Sequence, residues 1–130
     1  MVNSKRQRGF SLLELMIAMF ILIILLSIAL PTYNRSVQHA RETVLGENLW
    51  QMRRGIDQYR ADKGRLPASL EDLVSKEYLR EMPIDPITQT TEWDEIMGED
   101  SLSPDAEQGL VDVKSKSEGK DSEGKDYKDY

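Results

Sequence analysis

The feature that most restricts this chain is an unbroken apolar run, FSLLELMIAMFILIILLSIAL from Phe10 to Leu30, in which Glu14 is the only charged side chain. A helix rises about 1.5 Å per residue, so this run reaches about 31 Å and matches the ~30 Å hydrocarbon core of a bilayer. A cleaved secretory signal has a shorter apolar region, of about 7 to 15 residues, ending in a small-residue cleavage site. The exit sequence here, PTYNRS, does not fit that pattern, so a helix that enters a membrane and stays there is expected. Lys5, Arg6 and Arg8 precede the run and an acid-rich remainder follows it. The positive-inside rule then places the N-terminus in the cytoplasm and the rest of the chain outside.

A carboxylate near the start of an apolar helix costs about 2.5–3.5 kcal/mol on insertion scales when nothing compensates it. Some group is therefore expected to neutralise Glu14. The plain alternative is a signal-anchor helix whose Glu14 snorkels to the interface or stays protonated. Pro31 closes the run. It has no N–H for a helical bond and disfavours the helical conformation at Leu30, so a kink is expected there.

Beyond Leu30 remain roughly 100 residues, enough for one small domain that buries only about 60 to 70% of its unfolded surface, too little for a deep active-site cleft. The chain has no Cys, which excludes a disulfide, a thiolate metal site and a cysteine nucleophile. The single His39 falls in a helical pattern and cannot by itself build a catalytic zinc site. A net charge of −6, with the basic residues gathered at the start, argues against nucleic acid as a partner. Neither a nucleophile with its base nor a phosphate loop is visible, so the chain is not read as an enzyme.

After Pro31, apolar residues recur at Tyr33, Val37, Val44, Leu45, Leu49, Met52, Ile56 and Tyr59, the spacing of one helical face. Arg35, Arg41, Glu42, Glu47, Arg53, Arg54, Asp57 and Arg60 read as the opposite, solvated surface. Gly64 and Pro67 are stop signals, so the pattern predicts one helix from about Phe10 to Lys63. Ser69 to Asp72 has the form of a capping box ahead of a short helix. Pro83 and Pro86 impose an extended connection to a strand over Thr90–Met97, with Trp93 packing on the long helix. A second strand is predicted over Leu110–Ser115, with Val111 and Val113 on one face and Asp112 and Lys114 on the other. From Ser115 the chain reads SKSEGKDSEGKDYKDY, in which E-G-K-D occurs twice without apolar periodicity. This is loop or tail, whose Tyr127 and Tyr130 either dock back on the sheet and order it, the more ordinary reading, or stand exposed for a partner. The expected architecture is α+β: one long N-terminal helix packed against a small antiparallel sheet, which buries Val44, Leu49, Met52, Ile56 and Tyr59.

The segment Arg8-Gly9-Phe10-Ser11-Leu12-Leu13-Glu14, followed by the apolar run and Pro31, resembles the leader of type IV pilins and type II secretion pseudopilins. YRADKGRLPASLEDL at Tyr59–Leu73 and YLREMPIDPIT at Tyr78–Thr88 are similar to the middle of the major pseudopilins. The resemblance implies four segments: a prepilin leader at 1–9, a transmembrane and assembly helix at 10–30, its amphipathic continuation at 31–64, and a periplasmic head with an acidic C-terminal loop at 65–130. It implies that a prepilin peptidase cuts between Gly9 and Phe10 and methylates the Phe10 amino group. The new ammonium would pair with Glu14 of a neighbouring copy in a filament core, which fits the burial cost noted above. The helix near Pro31 would bend or melt during assembly.

The implied function is that of a structural subunit of a type II secretion pseudopilus, anchored in the bacterial inner membrane and polymerising in the periplasm to drive folded proteins across the outer membrane. The implied partners are further copies of the chain, minor pseudopilins, the inner-membrane assembly platform and membrane lipid. A type IV pilus subunit, serving adhesion, motility or DNA uptake, is the alternative; the lack of a Cys pair speaks against it. Calcium is the one candidate cofactor, since major pseudopilins hold it in a C-terminal loop. Asp112, Ser117, Asp121, Ser122 and Asp126 offer oxygens suited to that hard cation. Their spacing is not that of an EF-hand, and Lys114, Lys116, Lys120 and Lys125 would oppose it.

Overall fold

The computed structural model describes residues 5–105 and 107–130, so positions 1–4 of the expected leader lie outside the described residues. The chain divides into two compact units, 1–36 and 37–130, and helix α1 (Leu12–Lys63) contributes to both. In the first unit every described residue is exposed, including Phe20, Ile24 and Leu26. This surface is suited to hydrocarbon rather than water. Three of its hydroxyls are spent within the helix. Ser27 donates to the Ile24 carbonyl at 2.6 Å, Thr32 to Ile28 at 2.9 Å and Ser36 to Thr32 at 3.1 Å, which spares apolar surroundings an unpaired donor. Pro31 lies inside α1, and the backbone is helical on both sides of it. What the proline removes is one amide donor, the one that would have reached the Ser27 carbonyl.

The second unit is built on the outer part of α1. Leu45, Leu49, Met52, Ile56 and Tyr59 are all buried, and their alternating spacings of four and three keep them on one stripe. Against this stripe lie Leu70 and Leu73 of helix α2 (Leu70–Ser75), Leu79, Trp93, Leu110, Val113 and Tyr127. A fully buried leucine of this kind contributes about 1.5–3 kcal/mol. Val44, expected in this core, is 48% exposed. It lies one residue, or about 100°, round the helix from Leu45 and falls off the stripe. Glu42, expected on the solvated side, is buried instead.

The helix ends where expected. Gly64 takes a φ of 68° and its N–H donates to the Arg60 carbonyl at 2.9 Å, a left-handed cap that glycine adopts without strain. Ser69 caps α2 by accepting the Asp72 amide. The Asp72 carboxylate reaches back one residue further than in a standard capping box, taking the Ala68 amide at 3.0 Å.

Strands β1 (Trp93–Glu99) and β2 (Gln108–Ser115) pair antiparallel, from Trp93 opposite Ser115 to Glu99 opposite Gln108. The first strand begins three residues after the expected Thr90 because the preceding segment closes on itself. The Asp85 amide donates to the Thr90 carbonyl at 2.8 Å, and the Asp85 carboxylate accepts the Ile87 amide at 2.8 Å. The second correction is at Val111. The register shifts so that Ile96 faces Asp112 while Met97 faces Leu110, leaving Val111 as the extra residue of a β-bulge. The bulge turns Val111 outward and puts Leu110 with Val113 in the core, where unbroken alternation would have paired Val111 with Val113.

Gly109 marks the tightest approach in the head. A Cβ placed there would stand 2.5 Å from the Leu66 Cβ, and the neighbouring Leu110 amide donates to the Pro67 carbonyl at 2.8 Å. Gly109→Ala is expected to destabilise the head by about 1–3 kcal/mol through overpacking. Gly46→Ala, in open space on α1, is expected to be neutral or stabilising by up to about 1 kcal/mol. Urea melts of the full chain in detergent check both.

Candidate functional site

Two places carry chemistry. The first is the start of α1. Residues 5–11 are not helical and are exposed, so the Gly9–Phe10 peptide bond lies in an open stretch of backbone that a peptidase can engage. The helix begins at Leu12, not at Phe10, because Ser11 caps it. Ser11 Oγ accepts the Glu14 amide at 3.1 Å, the Glu14 Oε2 accepts the Ser11 amide at 2.9 Å, and the Ser11 carbonyl accepts the Leu15 amide at 3.2 Å. This is a complete capping box. The charge of Glu14 therefore sits on an orphan amide at the positive end of a helix dipole, which favours an anion. The expectation of a partner for Glu14 in another copy misses this near one, whose local signal is the spacing Ser-x-x-Glu.

The second place is the segment after β2, docked on α1. Glu42 Oε1 accepts the Ser122 amide at 2.8 Å, the Gln38 side-chain amide at 3.1 Å and the Tyr127 hydroxyl at 3.3 Å; its Oε2 accepts the Ser122 hydroxyl at 2.7 Å. Asp121 Oδ1 accepts the amides of Glu123 and Lys125, and its Oδ2 accepts the Tyr130 hydroxyl at 2.6 Å. The two E-G-K-D copies fold against each other, with Lys120 bridged to Asp126. Tyr127 is buried and Tyr130 half-buried, so both tyrosines dock.

Arginines expected in a solvated face supply two more ties. Arg53 donates to Asp112 Oδ1 at 2.7 Å, to the Val113 carbonyl at 3.0 Å and to the Tyr130 main-chain oxygen at 2.7 Å. Arg60 forms a two-pronged pair with the buried Asp100 between the strands. Nothing in the local pattern distinguishes these arginines from solvated ones. Their partners lie 40 to 77 residues away.

The five candidate calcium ligands are not brought together. Among the described residues no cluster of three or more acidic or histidine side chains is disposed to hold a metal ion. Asp112 is paired with Arg53, Ser122 donates to Glu42, and Asp121 is occupied by two amides and a hydroxyl. Ser117 is buried, its amide donating to Ser115 Oγ, and Asp126 stands at the start of the closing 3-10 turn, Tyr127–Asp129, without a side-chain hydrogen bond to it. These donors, as placed, do not fit a shared calcium ion.

Burial pushes the Glu42 carboxyl up, but the hydrogen bonds from Ser122, Gln38 and Tyr127 outweigh it and hold its pKa below the ordinary value. The Tyr130 hydroxyl, with the amides of Lys125, Glu123 and Gly124, draws Asp121 down. Tyr127 is raised by burial and then by the Glu42 charge, and Tyr130 by burial and then by Asp121. The lowered carboxyls contribute stability above their unfolded pKa and lose it as pH falls through their folded values. The raised tyrosines contribute below their unfolded pKa and lose it as pH rises. Docking of residues 119–130 is therefore expected to hold flat from about pH 5 to pH 9 and to weaken on both sides. The ring resonances of Tyr127 and Tyr130 in NMR report it.

Residues 4–30 match the family described as a prokaryotic N-terminal methylation motif. The chain is 31% identical over 98 residues to the type II secretion system core protein G of Klebsiella pneumoniae, covering 63% of this chain and 70% of that protein. It is 30% identical over 97 residues to the protein of the same name from Pectobacterium carotovorum subsp. carotovorum, covering 62% of each. No solved structure matches the chain significantly. Its methylation motif, its long apolar helix laid in part against a two-stranded sheet, and this extent of identity show that the chain belongs to the family of type II secretion system core protein G.

Proposed function

We propose that this chain is a structural subunit of a type II secretion pseudopilus, a periplasmic filament that drives folded proteins across the outer membrane. The observation that carries the reading is the start of α1. An accessible Gly9–Phe10 bond stands immediately before a capped helix whose next turns are exposed, covered by none of the described residues. Lipid covers that surface while the subunit waits in the inner membrane, with its N-terminus cytoplasmic and its head periplasmic. Neighbouring copies cover it once the subunit joins the filament.

Hydrolysis of the Gly9–Phe10 bond by a prepilin peptidase leaves a carboxylate on Gly9 and an ammonium on Phe10, and removes Lys5, Arg6 and Arg8 with the leader. A methyl group is then added to the Phe10 nitrogen. The resulting cation is the partner for Glu14 of an adjacent copy, and in a medium of low dielectric that pairing is strong enough to fix register between copies. Minor pseudopilins and an inner-membrane assembly platform complete the set of partners. The methylation motif alone fits a type IV pilus equally well; the core protein G relatives favour the secretion filament.

Mass spectrometry of the membrane-extracted protein is expected to show a chain starting at Phe10 with one added methyl. Gly9→Leu is expected to keep the leader, and Glu14→Gln to reduce sedimentable filaments at least ~10-fold, the loss of one desolvated pairing. A retained leader in the unaltered protein, or normal filament yield from Glu14→Gln, contradicts the reading.

A further inference from the structure

We propose that the head of this chain closes without a divalent cation, around the carboxylate of Glu42, an internal anion that gathers the segment after β2. The inference goes beyond the filament reading and stands or falls independently of it.

The first ground is saturation. A carboxylate offers about four acceptor sites, and Glu42 receives the Ser122 amide and hydroxyl, the Gln38 amide and the Tyr127 hydroxyl. All four donors are neutral and three of them belong to the docked segment. A buried carboxylate held by four donors, three on Oε1 and one on Oε2, is compensated by oriented dipoles and asks for no metal.

The second ground is that two of the candidate carboxylates, Asp112 and Asp121, are held by groups a cation would have to displace. Calcium takes six to eight oxygens at about 2.3–2.6 Å. Asp112 would have to release the Arg53 guanidinium, and Asp121 would have to release two amides and the Tyr130 hydroxyl. Positive charge already occupies the neighbourhood. Arg53 reaches Asp112, the Val113 carbonyl and the Tyr130 main-chain oxygen. Lys114 Nζ donates to the Lys128 carbonyl at 2.8 Å, and Lys125 Nζ stands 5.0 Å from the centre of the Tyr130 ring. Arg53 and the lysines thus supply in protein form the positive charge a metal would bring. Glu42, fixed on a helix, supplies the anchor that a metal would otherwise have to create between loops.

The test is limited trypsin proteolysis of the full chain in detergent micelles, with cleavage after Lys120 and Lys125 followed by mass spectrometry. After dialysis against excess EGTA, the rates and the melting temperature are expected to equal those in excess calcium chloride. Glu42→Gln, which sets an amide against donors that need an acceptor, is expected to speed both cleavages at least ~10-fold in either buffer. Ser122→Ala, on an exposed position, is expected to speed them about 3-fold. It decides the matter if Glu42→Gln does not fold. Faster cleavage in EGTA, a melting temperature raised by calcium, or unchanged rates in Ser122→Ala overturns the proposal.

Discussion

The outer part of α1 carries a stripe, Leu45, Leu49, Met52, Ile56 and Tyr59, that water does not tolerate bare. Every later element is disposed to cover it. α2 brings Leu70 and Leu73 across, the strands bring Trp93, Leu110 and Val113, and the last turn brings Tyr127. With only two strands and one short helix available, cover has to come from irregular backbone as well. This explains why Pro67, Asp85 and the segment after β2 are packed and hydrogen-bonded rather than loose. In the first unit the same helix continues with no such cover at all, which is the constraint the membrane and filament reading answers.

Two carboxylates on α1 show two ways of carrying charge in unfavourable surroundings. Glu42 is compensated permanently, by four neutral donors, three from the segment that it holds. Glu14 is compensated by one backbone amide in its own capping box, which leaves acceptor capacity free. A carboxylate with unused capacity can take up a second partner without breaking its first fold. In the proposed assembly that partner is the amino group created at Phe10. The difference between the two sites is thus one of saturation: a filled acceptor fixes structure, an unfilled one remains available for association.

Much of this was legible in the residues. The apolar run, the stop at Gly64, the Ser69 cap and the existence and pairing of two strands follow from local patterns whose period or chemistry is specific. So does the docking of Tyr127 and Tyr130. The errors have a common origin. Val44 was placed in the core because spacing alone cannot fix the centre of a helical stripe to within one residue. Val111 was placed beside Val113 because alternation cannot announce a bulge. Glu42, Arg53 and Arg60 read as solvated because what makes them structural lies at Ser122, Asp112 and Asp100, far along the chain. The candidate calcium ligands were chosen by residue type. Only the folded chain reveals that Arg53 holds Asp112 and that two amides and a hydroxyl hold Asp121. The capping box at Ser11 and Glu14 is by contrast written locally, in the spacing Ser-x-x-Glu.

The most direct test of the central claim is solid-state NMR on filaments assembled from two pools of subunits, one carrying nitrogen-15 at the Phe10 amino group and the other carbon-13 at the Glu14 carboxyl. The account predicts magnetisation transfer between these two nuclei in the mixed filament, because the pairing is between copies. Absence of that transfer, in filaments that are otherwise well ordered, would contradict it.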